Sequence, residues 1–181
     1  AILGSFDPRY LEVPPEVLIE TMQKNQKYFP LRSPDGALAP SFITIANIES
    51  LDPAQVRAGN ERVIRPRFAD AAFFWSQDLK QPLSAFGDRL KTVVFQDQLG
   101  TLAEKSQRVA QIVRYLAGLL AYDEELVARA AHLAKCDLMT AMIFEFAGLQ
   151  GIMGRYYAQH SGEDPAVCAA MEEQYLPRHA G

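Results

Sequence analysis

The feature that most constrains the fold of this chain is a helical pattern that starts at Thr101 and continues almost to the last residues. Thr101 and Glu104 have the spacing of a capping box, in which each side chain bonds the backbone of the other residue at a helix start. Large apolar residues then recur every three or four positions, the period of one helix face. They are Leu102, Val109, Ile112, Val113, Leu116 and Leu120. Such a stripe must be covered, and we expect its partners within the same region.

The rest of the second half is also helical in pattern. "DEELVARAAHLAKCDLMTAMIFEF" predicts one long helix or two short ones, and "GLQGIMGRYYAQHSG" and "DPAVCAAMEEQYLP" each predict a further helix.

The first half mixes helix and strand patterns. "PPEVLIETMQKNQ" predicts a helix with Pro at its start, and Val17, Leu18, Thr21 and Met22 share one of its faces. "KYFPLRS" and "SFITIANIE" predict two strands joined by the turn "SPDGALAP", which together form a hairpin. A helical pattern follows Asp52; Gly59-Asn60 is a point where it can be interrupted, and Pro66 either begins a new helix or kinks the existing one.

The predicted fold class is therefore α+β, with an N-terminal α/β region that contains a β-hairpin, followed by an all-helical domain. We place the domains at residues 1–95 and 96–181, because Pro82, Gly87 and Gly100 fall near this boundary. At 181 residues the chain is long enough for one ordinary domain or two small ones.

Composition narrows the functional classes. The net charge of −4 argues against a globally basic nucleic-acid binder and leaves a local basic patch open. No apolar run approaches the roughly 20 residues of a membrane span, and no signal peptide is recognisable. Cys136 and Cys168 are expected to be free thiols, because both fall in predicted helices far apart in sequence. These features predict a cytoplasmic protein that does not enter a membrane.

Gly148, Gly151 and Gly154 recur at intervals of three residues, just before Arg155 and two tyrosines. A dinucleotide loop needs G-x-G-x-x-G between a strand and a helix, whereas this spacing is G-x-x-G-x-x-G after a helical segment. On one helix the three glycines would share a side and admit a neighbouring backbone. Close packing is the favoured interpretation, and contact with a nucleic acid is the other.

Catalytic and metal-binding motifs are weak. The histidines His132, His160 and His179 have no His or Cys partner at ligand spacing, and no G-x-S-x-G motif is present. His132, Cys136 and Asp137 lie near one helix face, where partly buried structural residues are the favoured interpretation. We predict no catalytic residues and no metal ligands.

Four arginines are the best candidates for contacts with a nucleic acid. Arg62, Arg65 and Arg67 are clustered, and Arg155 precedes two tyrosines that could stack on bases. The alternative is that the cluster forms structural ion pairs with nearby carboxylates, namely Glu61, Asp70 and Asp78.

Long blocks of this sequence resemble one known family. They include "LEVPPEVLIETMQKNQKYF", "FITIANIE", "AGNERVIRPRFADAAFFWSQDL", "QLGTLAEKSQRV", "KCDLMTAMIFEFAGLQGIMGRYYA", "GED" and "QYLPRHAG". In this order, over nearly the whole chain, they resemble the β subunit of the bacterial α/β-type glycyl-tRNA synthetase.

The resemblance implies different roles for the two subunits of the enzyme. The α subunit of that family activates glycine with ATP and Mg²⁺, and the larger β subunit mainly binds tRNA(Gly). This chain is then expected to be a middle fragment of β that holds no cofactor and has no catalytic residue of its own. Its expected partners are tRNA(Gly) and the α subunit, with Arg62, Arg65, Arg67 and Arg155 as tRNA contacts.

The resemblance also implies that the helical half is an HD-like domain, related to metal-dependent phosphohydrolases. Ala134-Lys135 occupies the position of the His-Asp doublet that such enzymes need, and a lysine ammonium repels a metal cation. Two alternatives stay open. One is an active HD-type phosphohydrolase that uses His132 and Asp137, and the other is a structural spacer that touches neither tRNA nor α.

Overall fold

The computed structural model describes residues 1–47 and 49–178 and has a mixed α+β fold, as predicted. Antiparallel strands lie near the N-terminus and helices follow. The contacts divide the chain into two compact units, Ala1–Ser76 and Gln77–Gly181, called here the first and the second unit. This division falls before the domain boundary that we placed between residues 95 and 96.

A three-stranded antiparallel sheet organises the first unit. Its order is β1 (Ile2–Ser5), β3 (Leu38–Thr44) and β2 (Phe29–Arg32), with β3 in the centre. The predicted hairpin is confirmed as the β2–β3 pair. Strand β1 was not predicted, because four residues are too few to show an alternating pattern. The predicted returning strand reached residue 49, whereas β3 ends at Thr44; Ile48 lies outside the described residues.

Helices cover this sheet. A 3₁₀ turn (Pro8–Glu12) precedes α1 (Pro15–Glu20), which continues into a π-helical turn (Thr21–Asn25). The long helix α2 (Pro53–Asp78) continues through Gly59 and Pro66 without interruption. The core of the unit is made of large side chains that are almost fully buried, which are Val17, Leu18, Met22, Phe42, Ile64 and Phe68.

The second unit is a helical array. A 3₁₀ segment (Leu83–Thr92) and a short hairpin of β4 (Val94–Gln96) and β5 (Gly100–Thr101) precede α3 (Leu102–Leu120). The remaining helices are α4 (Glu124–Leu133), α5 (Ala141–Glu145), α6 (Ile152–His160) and α7 (Pro165–Glu173), with 3₁₀ turns at Cys136–Met139 and Ala147–Leu149. Helix α3 packs on α4, and α6 on α7.

The capping box at the start of α3 is confirmed. The Thr101 amide donates to Oε2 of Glu104 at 2.7 Å, and the Glu104 amide donates to Oγ1 of Thr101 at 3.3 Å. These two bonds satisfy backbone donors at the start of the helix. Thr101 and Glu104 were therefore sufficient to predict where α3 begins.

The apolar stripe of α3 does not face a core, and our expectation that it would is wrong. Helix α3 buries the small residues Ser106, Ala110 and Ala117 instead. Five large residues of the stripe side are between 37% and 66% exposed, which are Val109, Ile112, Leu116, Leu119 and Leu120. Small side chains let two helix backbones approach closely, and α4 supplies Ala128 and Ala131 as buried small residues of its own.

The three glycines do not share a helix face, so that prediction is also wrong. Gly148 lies in the 3₁₀ turn Ala147–Leu149, Gly151 is the residue before α6, and Gly154 alone lies within α6. The cause is the backbone of Gly151, whose φ of +81° is incompatible with a continuous right-handed helix.

Within the described ranges, no helix is both long enough and apolar enough to cross a membrane.

Candidate functional site

The arginine cluster of α2 splits between two sides of the helix. Arg62, Arg65 and Arg67 are all exposed. Successive residues of an α-helix are rotated by about 100°, so Arg62 and Arg65 lie about 60° apart, whereas Arg67 lies about 160° from Arg65. The structure therefore brings two of the three candidates together.

Two of the three carboxylates proposed as structural partners, Glu61 and Asp78, bond other groups. Glu61 accepts hydrogen bonds from the amide and the hydroxyl of Ser5, at 2.9 and 3.1 Å. Asp78 accepts from the backbone of α5. In residues 1–47 and 49–178, no carboxylate lies within ion-pair distance of the three arginines. The ion-pair alternative for the cluster is thus contradicted.

Arg65 borders an open concavity of about 490 Å³ in the first unit, and Arg9 borders the same concavity. A guanidinium nitrogen of Arg9 donates to the Tyr10 hydroxyl at 2.9 Å, and Nε lies 3.4 Å from a carboxylate oxygen of Asp7. The hydrogen bond to Tyr10, followed by the charges of Tyr10 and Asp7, raises the pKa of Arg9. Sequence reasoning missed Arg9, since it lies more than fifty residues from the cluster.

Two exposed guanidinium groups at one rim suit a phosphate ligand. Each can offer paired N–H donors in the planar geometry that phosphate oxygens accept. Two carboxylates also line the concavity: Asp7 lies beside Arg9, and Glu61 accepts hydrogen bonds from Ser5. Arg62, about 60° from Arg65 on the helix surface, widens the basic strip beside the concavity.

Arg155 has a different environment. It belongs to α6 in the second unit, where it is half-buried and its Nε lies 2.8 Å from Oε2 of Glu172 on α7. Its guanidinium also stacks over the ring of Tyr156, 4.7 Å from the centroid. These contacts make Arg155 part of the packing between α6 and α7.

Asp137 is the most buried charged residue near the glycines, with 1% of its surface exposed. Its Oδ2 accepts a hydrogen bond from the amide of Gly151, and the amide of Gly154 also bonds this carboxylate. Burial raises the pKa of Asp137, and the two glycine amides and Lys135 oppose that shift. The carboxylate thus caps the first turn of α6, which gives the glycine stretch a structural explanation.

Lys135 lies beside this cap. Its ammonium donates to the Tyr175 hydroxyl at 2.8 Å and stacks 4.0 Å over the ring of the same residue. Desolvation by burial lowers the pKa of Lys135, while the charge of Asp137 raises it.

His132 and Asp137, the residues of the hydrolase alternative, occupy different environments. His132 is exposed and lines a concavity of about 330 Å³ with Arg129 and Cys136, whereas Asp137 is buried under α6. Burial raises the pKa of the Cys136 thiol to about 12, so the thiol is neutral near pH 7.

The remaining histidines and the cysteines do not form a metal site in the described residues either. His160 is exposed at the end of α6, and His179 lies outside the described residues. In the part of the chain that the structure describes, no three His, Cys, Asp or Glu side chains are placed to share a metal ion. Cys136 and Cys168 are buried and free.

Asp78 is a buried residue whose role the sequence did not reveal. Its two carboxylate oxygens accept the amides of Ala141 and Met142 at 3.0 Å, and Oδ2 also accepts the Tyr157 hydroxyl at 2.8 Å. The partners are more than sixty residues away in the chain, so no local pattern could have identified them.

Comparisons with known proteins agree on one family. The family model described as glycyl-tRNA synthetase beta subunit matches residues 1–181. Similar curated proteins are the glycine–tRNA ligase beta subunits of Pseudomonas putida (strain W619), at 54% identity, and of Pseudomonas syringae pv. syringae (strain B728a), at 56%. That of Chromohalobacter salexigens is also 56% identical. Each match covers 180 residues, which are 99% of this chain and 26% of the relative.

Proposed function

Because this chain belongs to the glycyl-tRNA synthetase beta subunit family, we propose that it is a tRNA-binding and architectural part of a glycine–tRNA ligase. The chain spans about a quarter of the length of the curated relatives that it matches. We assign glycine activation, with ATP and Mg²⁺, to a separate α subunit. In this proposal the stretch itself carries no catalytic residue, its partners are α and tRNA(Gly), and the assembly is cytoplasmic.

The observation that supports tRNA binding is the pair of exposed arginines on one side of α2. Arg62 and Arg65 have no carboxylate partner in the described chain. Arg9, which lies beside Asp7, borders the same concavity as Arg65. A basic strip on a chain with a net charge of −4 is a localised feature. Phosphate oxygens are the ligand that such a strip favours.

Arg67 and Arg155 have weaker support as tRNA contacts. Arg67 lies on the other flank of α2, so it can meet the same phosphates only if the tRNA backbone passes around the helix. Arg155 would have to give up its pairing with Glu172. We therefore keep both as secondary candidates.

We also propose that the second unit is a non-catalytic HD-like domain. Ala134-Lys135 stands where the His-Asp doublet of an active site would be, and Asp137 is used to cap α6. The separation of His132 from Asp137 leaves the phosphohydrolase alternative without support from any observed contact.

Binding measurements on the assembled ligase test the tRNA proposal. The change is Arg62→Ala together with Arg65→Ala, and tRNA(Gly) affinity is measured from 50 to 300 mM salt. Each phosphate contact that is lost should lower the slope of log affinity against log salt by up to about one unit. We expect weaker binding, a slope lower by up to about two units and unchanged formation of glycyl-adenylate, a step that does not use tRNA.

The matched control is Arg32→Ala, at an arginine of the first unit that donates to the Gly36 carbonyl within its own hairpin. The control should leave the salt slope unchanged. A double variant with the wild-type slope and normal thermal stability would remove Arg62 and Arg65 from the tRNA interface. It would favour the spacer alternative for this part of the chain.

A further inference from the structure

Helix α3 carries an apolar seam with the period of a coiled coil. Positions 102, 105, 109, 112, 116 and 119 are separated alternately by three and four residues, and all except Lys105 are apolar. This spacing is the one that brings a narrow stripe against a single partner helix. Four of the apolar seam residues, from Val109 to Leu119, are between 37% and 66% exposed.

A neighbouring side of α3 already packs within the second unit. Ser106, Ala110 and Ala117 are buried, and α4 is the helix that packs on α3. The seam is therefore a second face, which the described part of this chain leaves exposed to solvent. Monomeric proteins rarely leave several adjacent large apolar side chains exposed unless they form an interaction site.

The N-terminal end of the seam is basic. The Lys105 ammonium lies 4.1 Å over the ring of Phe95, and a guanidinium nitrogen of Arg108 donates to the Leu99 carbonyl at 2.8 Å. Neither cation has a carboxylate within ion-pair distance in the described residues. These contacts hold the β4–β5 hairpin against α3, where Phe95 and Leu99 extend the exposed apolar surface.

We propose that this seam is the docking site of an amphipathic helix from the same polypeptide, in a protein of the relatives' length. The docked helix should carry an apolar heptad stripe and acidic residues where it passes Lys105 and Arg108. About three quarters of each curated relative lies outside the matched region and can supply such a segment. This inference does not depend on tRNA binding.

Size and connectivity favour a tethered helix over a separate molecule. A standard interface between free proteins involves about 20–30 residues on each side. The exposed seam offers only three turns of one helix and the hairpin beside it. A segment of the same chain docks at an effective concentration that can reach the millimolar range, so a small contact suffices.

Site-specific photo-crosslinking in a full-length family member, assembled with its natural subunits, tests the proposal. Benzoylphenylalanine replaces the residue equivalent to Ile112, and crosslinked peptides are identified by mass spectrometry. We expect an unchanged mass for the β chain and a crosslink to a segment outside the region equivalent to residues 1–181. The captured segment should be a helix with acidic residues near the position of Lys105.

Every other result overturns the proposal. A doubled mass would identify a second copy as the occupant, and a crosslink to another subunit would identify that subunit. A crosslink within residues 1–181, or equal yields at Ile112 and at the control position Gln111 on the polar side of α3, would show that no outside segment covers the seam.

A stability comparison provides a second readout. Ile112→Asn with Leu116→Asn should lower the melting temperature of this 181-residue chain by no more than about 2–4 °C, because each change at an exposed position alters the free energy of unfolding by up to about 0.5 kcal/mol. In the full-length protein the same pair should lower the melting temperature of the helical region by at least about twice as much, because both side chains would be buried there. Equal shifts in the two proteins would contradict an added partner helix. Gln111→Asn serves as the control in both.

Discussion

Gly151 decides, at the scale of a single residue, how the chain turns into α6. Its φ of +81° belongs to a region that L-residues avoid, and its amide donates to the buried carboxylate of Asp137. A side chain there would meet the carbonyl oxygen of Met171 at 2.7 Å and the ring of Tyr175 at 2.5 Å. Close packing, the favoured interpretation of the glycine stretch, holds for Gly151, although the continuous helix that we predicted does not form.

Gly151→Ala should destabilise the fold by roughly 2–4 kcal/mol, because it combines backbone strain with overpacking. The measurement is the free energy of unfolding in urea. The matched control is Gly162→Ala, where φ is +75° but an added Cβ would meet nothing within 4 Å. The control isolates the backbone contribution, about 1–2 kcal/mol. Equal losses at the two positions would show that α7 does not restrict the space at Gly151.

The candidate tRNA-binding arginines show what the sequence could not predict at the scale of single residues. The pattern of charges identified Arg62, Arg65 and Arg67 as candidates, and all three are exposed. Proximity in sequence did not show that Arg67 lies on the other flank of α2. It also could not show that Arg9 shares a concavity with Arg65, because that contact depends on the packing of two distant segments.

At the scale of the element, periodicity identified helices but not the faces that they bury. The capping box located the start of α3 correctly. The large apolar stripe then suggested the buried face, whereas the helix packs through its alanines. Burial depends on which neighbour is present, and a stripe that serves a partner outside the chain has the same pattern as one that serves the core. Similarly, propensity suggested breaks at Gly59 and Pro66, but α2 continues through both.

Added volume on α3 should therefore reduce stability at a buried small residue and have little effect at an exposed position. Ala110→Leu adds volume at a buried position of α3 and should destabilise the 181-residue chain by about 1–3 kcal/mol. Gln111→Leu makes the same kind of addition at the next, exposed position and should change stability by less than about 0.5 kcal/mol. Chemical denaturation of both variants checks the difference. A neutral Ala110→Leu would mean that α3 is not closely packed at this position.

At the scale of the whole molecule, the α+β class and the order of a hairpin followed by helices were predictable from the sequence. The contacts between segments that are distant in sequence could not be predicted. The residues from 77 to 95 carry proline and glycine signals typical of a linker, and we grouped them with the first domain. In the structure Leu83, Phe86 and Leu90 are buried, and their 3₁₀ segment packs on α3, α4 and the 3₁₀ turn Cys136–Met139.

This arrangement predicts which fragment folds independently. A chain of residues 77–181 keeps three buried apolar residues and Asp78, whose carboxylate accepts two amides of α5 and the Tyr157 hydroxyl. A chain of residues 96–181, which follows the boundary that we placed from the sequence, loses all of them. Each buried large apolar side chain removed leaves a cavity that typically reduces stability by about 2–5 kcal/mol.

We therefore expect fragment 77–181 to melt cooperatively and fragment 96–181 to be largely unfolded at 25 °C, since single domains have only about 5–15 kcal/mol of stability to lose. Circular dichroism melts of the two fragments provide the measurement. The fragment 77–181 with Asp78→Ala separates the two contributions. It should melt at a lower temperature and remain cooperative, because it keeps the apolar contacts but leaves the amides of Ala141 and Met142 without acceptors. A cooperative melt of fragment 96–181 at the temperature of the longer fragment would show instead that residues 77–95 contribute little to the helical unit.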